Sequence, residues 1–178
     1  MKATGIIRRI DELGRIVVPK EIRRNLRIKD GENLEIFIDG EDSIVLKKHS
    51  AIKNISDLGQ NFTDSIYNFL KHNIIICDNN TILAASGKLK KEIIGKNISE
   101  DLENKINRRE EMLENHKKTI KIIEEKEYEA TYAISPIIVH GDVFGTVLIF
   151  SLDKEITDNE YKIVQIVSKI FNTHLEQV

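Results

Sequence analysis

The sequence predicts an α+β protein built from two small domains, and three observations carry that prediction. Apolar and polar residues alternate in short stretches through residues 4–48, as they do in β-strands. Apolar residues recur at helical spacing in residues 58–70 and 157–175, with strand patterns between them. The chain has 178 residues, enough for one ordinary domain or two small ones. We place the boundary between residues 52 and 53.

The first domain, residues 1–52, is predicted to follow the order β-β-α-β-β. Gly14 supplies the turn between the first two strands, since glycine adopts positive φ without strain. Pro19 is predicted in the first turn of the helix, where its missing N–H is harmless. The predicted strands cover residues 4–10, 15–19, 33–39 and 43–49, and the helix covers residues 19–26.

This first domain is too small to bury its apolar residues comfortably by itself. A core built from about fifty residues gives marginal stability, and still smaller domains usually need disulfides, metals or oligomerisation. The sequence holds one cysteine, Cys77, and no histidine pair with metal-ligand spacing. We therefore expect an obligate dimer.

The second domain, residues 53–178, is predicted to alternate helices and strands. A hairpin should turn at residues 78–80 and another at residues 140–142. Thr157 and Glu160 form a capping-box pattern at the start of the last helix. Helices are expected over residues 56–73, 99–113 and 157–178, and strands over residues 73–86, 119–123 and 128–152.

The last predicted helix has an unusually wide apolar face. A helix on the surface of a domain needs only about 100° of apolar face. Here the stripe is wide enough for two partners, its own sheet and a second helix. Helices of two subunits could then form a four-helix interface and a tetramer. The stripe contains Tyr161, Val164, Val167, Phe171 and Leu175, widened by Ile163, Ile166 and Ile170.

Positive charge is concentrated in the first domain. Nine basic and three acidic side chains give residues 1–29 a charge of +6. The rest of the chain therefore carries −8, because the whole carries −2. Arginine outnumbers lysine six to three in that segment, and arginine makes forked contacts to phosphate and guanine. This asymmetry is typical of nucleic-acid binding.

Residues 2–48 resemble the swapped-hairpin DNA-binding domain of the AbrB family of bacterial transition-state regulators. The segment DELGRIVVPKEIRR has the glycine, the proline and the arginines of that family in register. The resemblance implies that two chains exchange hairpins to form one β-barrel and bind double-stranded DNA. By position, the DNA-facing residues are Arg8, Arg9, Arg15, Arg23 and Arg24. A preference for DNA shape over a strict base code is also implied.

The order of elements in residues 53–178 resembles a GAF domain, a six-stranded sheet flanked by helices that binds small molecules in other proteins. With both domains, the chain is similar to a family of activators and repressors of sporulation genes in endospore-forming bacteria. The motif of nucleotide-binding GAF domains is absent, since KEITDNEY has the wrong order. The resemblance names no effector.

The sequence offers no catalytic constellation, metal site or cofactor motif. Ser86 is expected in a loop without an activating base, and Cys77 in a buried strand. The longest apolar run, Val143 to Phe150, is too short to cross a bilayer. The charged N-terminus is unlike a signal peptide. We expect a cytoplasmic protein that is not an enzyme.

Two other classes of function remain open at this point. Antitoxins use the same N-terminal fold, so the protein could neutralise a partner toxin, which would call for a disordered acidic tail. An enzyme built on the second domain would require an acid–base or metal cluster that the sequence does not offer. The folded, strand-rich second domain favours the DNA-binding regulator.

Overall fold

The computed structural model describes residues 5–40, 43–48 and 56–176. The chain divides into two units, Met1–His49 and Ser50–Val178. The boundary predicted between residues 52 and 53 falls outside the described residues.

The first unit contains one helix and one hairpin. Helix α1 (Lys20–Asn25) follows Pro19, which occupies the N-cap position, one residue earlier than the predicted first helical position. Strands β1 (Leu34–Asp39) and β2 (Ser43–Lys48) pair antiparallel, with Phe37 opposite Val45. These elements match the predicted helix and the second predicted strand pair.

The first predicted strand pair is absent from the described single chain. Residues 5–19 contain only a turn around residues 12–14, and Thr4 lies outside the described residues. A strand exists only when its N–H and C=O groups meet a ladder partner. Alternation of side chains alone therefore does not make strands of residues 5–19 in the described chain.

The first unit has almost no interior of its own. Pro19 is the single buried residue among its described residues. Ile7 is 89% exposed and Ile38 is 82% exposed. Other apolar side chains are also left in solvent: Ile10, Leu13, Ile16, Val17, Leu26, Ile36, Ile44 and Leu46.

The second unit is a five-stranded antiparallel sheet with helices on both faces. Its strand order is β4-β3-β7-β6-β5. Its described residues thus form one strand fewer than the six that the GAF resemblance implied. The elements are α2 (Ser56–Leu70), β3 (Asn73–Asp78), β4 (Ile82–Ser86), α3 (Lys90–Ile93), α4 (Glu100–Asn107), β5 (Met112–Ile123), β6 (Lys126–Val139), β7 (Asp142–Ser151) and α5 (Asp158–Leu175).

Two apolar cores lie on opposite faces of this sheet. Alternate residues of β3 separate them, because successive side chains of a strand point to opposite faces. Ile74 and Ile76 pack with the helical residues Val164 and Phe171. Ile75 belongs to the other core, which includes α3 and α4 residues such as Ile93, Leu102 and Ile106.

The helix predicted over residues 99–113 is shorter than expected. Helix α4 ends at Asn107, and Arg109 adopts a φ of 56°, which stops the helix. Met112 and Leu113 then pair with Ile134 and Ala133 of β6. Strand β5 therefore starts well before the predicted 119–123, because a neighbouring strand overrides the local helical spacing.

Candidate nucleic-acid interface

The turn that carries Arg15 is closed by hydrogen bonds between backbone groups. Gly14 N–H donates to the Asp11 carbonyl at 2.9 Å, and Asp11 N–H donates to the Arg15 carbonyl at 3.1 Å. Gly14 has a φ of 76°, a conformation that glycine adopts without a steric penalty. The predicted role of Gly14 as the turn residue is confirmed.

The Asp11 carboxylate holds this turn and the arginine together. Its Oδ1 accepts hydrogen bonds from the N–H groups of Leu13 at 3.0 Å and Arg15 at 2.8 Å. Its Oδ2 accepts from Arg15 Nε at 2.7 Å. The bonds from Arg15, backbone first and side chain second, hold the pKa of Asp11 below its ordinary value near 3.8.

Two candidate arginines lie side by side on α1. Arg23 Nη1 donates to Asp30 Oδ1, and the Arg23 side chain is 36% exposed. Its Nε is buried without a hydrogen-bond partner among the described residues. Arg24 is exposed in the same last turn of the helix. The Asp30 contact was missed by sequence reasoning, because seven residues separate the pair and no local motif marks it.

The remaining two candidates, Arg8 and Arg9, lie in the exposed segment before the turn. Arg8 Nη1 donates to the Ile7 carbonyl at 3.2 Å, a local contact that leaves the side chain in solvent. All five predicted arginines are thus exposed or half-buried, as a surface that meets phosphates requires. The first unit collects them within its first 24 residues.

The second unit has a different kind of surface, an apolar groove between α2 and α5. The groove has a volume of about 330 Å³. Phe69 on its rim is 90% exposed, and Ile166 is 57% exposed. Val164, Val167, Phe171 and Leu175 face the sheet, so α5 has the predicted double apolar face. The groove is lined by Phe62, Ser65, Ile66, Phe69, Leu70, Ile163, Ile166, Val167 and Ile170.

The other residues considered from the sequence lie in structural settings. Cys77 is fully buried in β3, and burial strongly raises the pKa of its thiol. Ser86 is the last residue of β4 rather than a loop residue, and His140 is exposed in the β6–β7 turn. The described residues contain no group of histidine, cysteine or carboxylate side chains that could hold a metal ion. They also contain no helix long and apolar enough to cross a membrane.

The N-terminal segment is similar to a known regulator and to a family of antitoxins. It is 55% identical over 49 residues to the transition state regulatory protein AbrB of Bacillus subtilis (strain 168), a match that covers 28% of this chain and 50% of that protein. The family "Antidote-toxin recognition MazE, bacterial antitoxin" matches residues 7–54.

The second unit has the GAF fold. It resembles the GAF domain region of a protein from Geobacter sulfurreducens PCA with a TM-score of 0.55 and 12% identity, covering 72% of this chain and 97% of that one. The GAF domain of an Acinetobacter phosphoenolpyruvate-protein phosphotransferase gives a TM-score of 0.51 at 10% identity, covering 69% and 82%. At these identities the likeness concerns the fold alone.

Both units together match one kind of protein. The family "Stage V sporulation protein T C-terminal, transcription factor" matches residues 54–176. The chain is also 41% identical over 178 residues to stage V sporulation protein T of Bacillus subtilis (strain 168), which covers 99% of this chain and all of that protein. The first unit is rich in arginine, the second has the GAF fold, and the match extends along the whole length. The chain therefore belongs to the stage V sporulation protein T family of transcription factors.

Proposed function

We propose that this protein regulates sporulation genes, as activator and repressor, by binding duplex DNA through Arg8, Arg9, Arg15, Arg23 and Arg24 of a swapped-hairpin dimer. The observation that carries the proposal is the exposed arginine surface of the first unit, within a chain whose remainder is acidic. Because its target is bacterial DNA, the protein would act in the cytoplasm.

The proposed dimer rests on the exposed apolar side chains of the first unit. Ile7, Ile10, Leu13 and Val17 are each more than 60% exposed, and none of the described residues of the same unit covers them. Burying apolar surface contributes about 25 cal/mol per Å². Exchange of the 5–19 segments between two chains would cover these residues and give their backbone groups ladder partners. It would also double the number of arginines that face the duplex.

A tetramer would follow if two such dimers joined through the α2/α5 groove. The groove combines a strongly exposed Phe69 with Ile166 and Ile170 of the neighbouring helix. Large contiguous apolar patches are uncommon on monomeric proteins and mark interaction sites. Two pairs of α2 and α5 would form a four-helix interface.

The second unit also offers a route for regulation by a small molecule, as its GAF fold suggests. A ligand can shift an equilibrium only if it binds two arrangements with different affinity. The relevant arrangements here would be those of α2 and α5, because these helices would join the two dimers. The chemical class of such an effector is left open.

The antitoxin alternative is less well supported, although an antitoxin family matches residues 7–54. That match is confined to the shared N-terminal fold. Residues 56–176 form a folded sheet with helices on both faces rather than the disordered tail that would wrap a toxin. The relative that matches the whole chain is a sporulation protein.

The DNA-binding proposal is tested with Arg15→Ala and Arg23→Ala in the full chain. The probe is a duplex selected by the wild-type protein from a random-sequence library, and binding is measured from low to moderate salt. Each substitution should weaken binding by about 1–3 kcal/mol. A dimer offers about eight to ten basic contacts, and each neutralised phosphate contributes about −0.9 to the slope of log affinity against log salt.

Lys91→Ala on the exposed surface of α3 is the control, since it removes one positive charge from the second unit. It should leave binding unchanged. Affinity that does not vary with salt, or arginine variants that bind as tightly as the wild type, would contradict the proposal. Circular dichroism and the molar mass of each variant show whether the fold and the assembly are preserved.

A further inference from the structure

We infer that Asp11 is a positioning residue for DNA binding, which holds Arg15 through Nε and so presents the outer end of its guanidinium to the duplex. This inference rests on the proposed function and adds to it a residue that itself would repel DNA.

The Asp11 oxygens divide two tasks between them. Oδ1 accepts from the backbone N–H groups of Leu13 and Arg15, which fixes the path of the turn. Oδ2 accepts from Arg15 Nε at 2.7 Å, which fixes the direction of the side chain. One carboxylate therefore sets both the point where Arg15 leaves the backbone and the way its side chain runs.

The contact leaves the useful end of Arg15 free. A guanidinium has five N–H donors, of which Nε carries one and the two Nη atoms carry four. Neither Nη atom of Arg15 has a hydrogen-bond partner among the described residues, and the side chain is 71% exposed. The paired Nη atoms form a fork that can bind a phosphate or the acceptor edge of guanine.

The second aspartate–arginine pair of the unit is arranged differently. Asp30 contacts Arg23 through Nη1, so part of that fork is already occupied. Asp30 would have to release Arg23 before Nη1 could bind DNA. Of these two pairs, both within the described residues, the one with Asp11 presents the complete fork.

The positioning role of Asp11 and its negative charge predict opposite changes in DNA affinity when the residue is replaced. Asp11→Asn removes one negative charge per subunit, and on charge alone it should strengthen DNA binding. Asn keeps an oxygen that can accept from the turn N–H groups, but its amide nitrogen cannot accept from Arg15 Nε. Glu12→Gln makes the same change of charge next door, and Glu12 has no hydrogen bond or ion pair with any described residue.

The experiment compares full-length wild type, Asp11→Asn, Glu12→Gln, Arg15→Ala and the double variant Asp11→Asn/Arg15→Ala. Each binds two duplexes, one selected by the wild type from random sequence and one unrelated. We expect Asp11→Asn to bind the selected duplex about tenfold more weakly, as befits the loss of one charge-assisted hydrogen bond. Glu12→Gln should bind it as tightly as the wild type or more tightly. The double variant should bind no more weakly than Arg15→Ala.

The inference would be overturned if the Asp11→Asn protein bound both duplexes as the Glu12→Gln protein does. The proposed function would still stand in that case, provided that the Arg15→Ala protein binds weakly. If Arg15→Ala binds as tightly as the wild type, the DNA contact of Arg15 fails, and the role of Asp11 fails with it. Should Asp11→Asn not fold, the wild type provides a second test by NMR. The Nε–H signal of Arg15 should be protected from exchange with water, and an unprotected signal would overturn the inference.

Discussion

Ser86, expected in a loop from the sequence, is a buried residue at the end of β4 with a structural role. Its side chain is 3% exposed and donates to Asp64 on α2, with Thr63 Oγ1 at 3.1 Å. Gln60 Nε2 donates to Ser86 Oγ at 3.1 Å and to the Ala85 carbonyl at 3.0 Å. This polar cluster joins α2 to the edge strand β4. Buried polar groups need such partners, since an unpaired one costs free energy.

Ser86→Ala should therefore destabilise the second unit. Removing the hydroxyl takes away its hydrogen bond to the Asp64 carboxylate and its contact with Thr63 Oγ1, and a hydrogen bond to a charged group contributes about 1.5–3 kcal/mol to the free energy of unfolding. The measurement is urea unfolding of the full chain followed by circular dichroism. Ser65→Ala is the matched control, because its hydroxyl donates to the Asn61 carbonyl at an exposed site of the same helix. If the two substitutions lowered the free energy of unfolding equally, the polar cluster around Ser86 would make no contribution to stability.

Helix α5 is the element that the sequence specifies most completely. Its capping box forms as predicted, with Thr157 N–H donating to Glu160 Oε2 at 2.9 Å and the Thr157 hydroxyl accepting from the first turn. One apolar face covers the sheet and the other lines the α2/α5 groove. The capping box thus stabilises a helix that contributes to both the core and the proposed interface.

Loss of the cap is expected to lower stability without altering the assembly. Thr157→Ala removes the hydroxyl that accepts from the Asn159 N–H group and should lower the free energy of unfolding by about 0.5–2 kcal/mol. Thr157→Ser keeps the hydroxyl and should remain close to the wild type. Thermal unfolding of the three proteins, at equal concentration, measures the difference. A Thr157→Ala protein as stable as the serine variant would show that water replaces the cap.

At the scale of the whole molecule, both units expose apolar surface that the single chain does not cover. In the first unit this surface includes most of the apolar side chains, and in the second it lies mainly at the α2/α5 groove, with Ile94 exposed outside it. The difference suggests two steps of assembly. Exchange of hairpins would complete the fold of the first unit, whereas the groove would join units that are already folded.

Phe69→Ser should stop assembly at the dimer. Phe69 is 90% exposed, so its replacement removes apolar surface from the groove without opening a cavity. Light scattering of the full chain should give four subunits for the wild type and two for the variant. Ile94→Ser is the control, because Ile94 is also exposed but lies at the end of α3, outside the groove. A wild type that contains only two subunits at high concentration would contradict the four-helix interface.

Much of the fold could be predicted from local sequence. The spacing of Phe62, Ile66 and Leu70 predicted α2, and the turn residues placed the two hairpins of the second unit correctly. The end of α4 could not be predicted, because Met112 and Leu113 continue the helical spacing and only pairing with β6 draws them into β5. The candidate arginines follow from charge and family register. The partner of Arg15, Asp11, was easier to predict than the partner of Arg23, Asp30. Asp11 lies beside its turn, whereas Asp30 is distant in sequence.

By itself, the sequence determined where α1, α2, α4, α5 and the hairpin turns of the second unit begin, which domain carries the positive charge and which helix has two apolar faces. These properties depend on residues a few positions apart, within reach of one turn of backbone. The tertiary structure alone decided the length of β5, the burial of Ser86 and the pairing of Arg23 with Asp30. Those features require groups that are remote along the chain to meet, and no local pattern records which groups will do so.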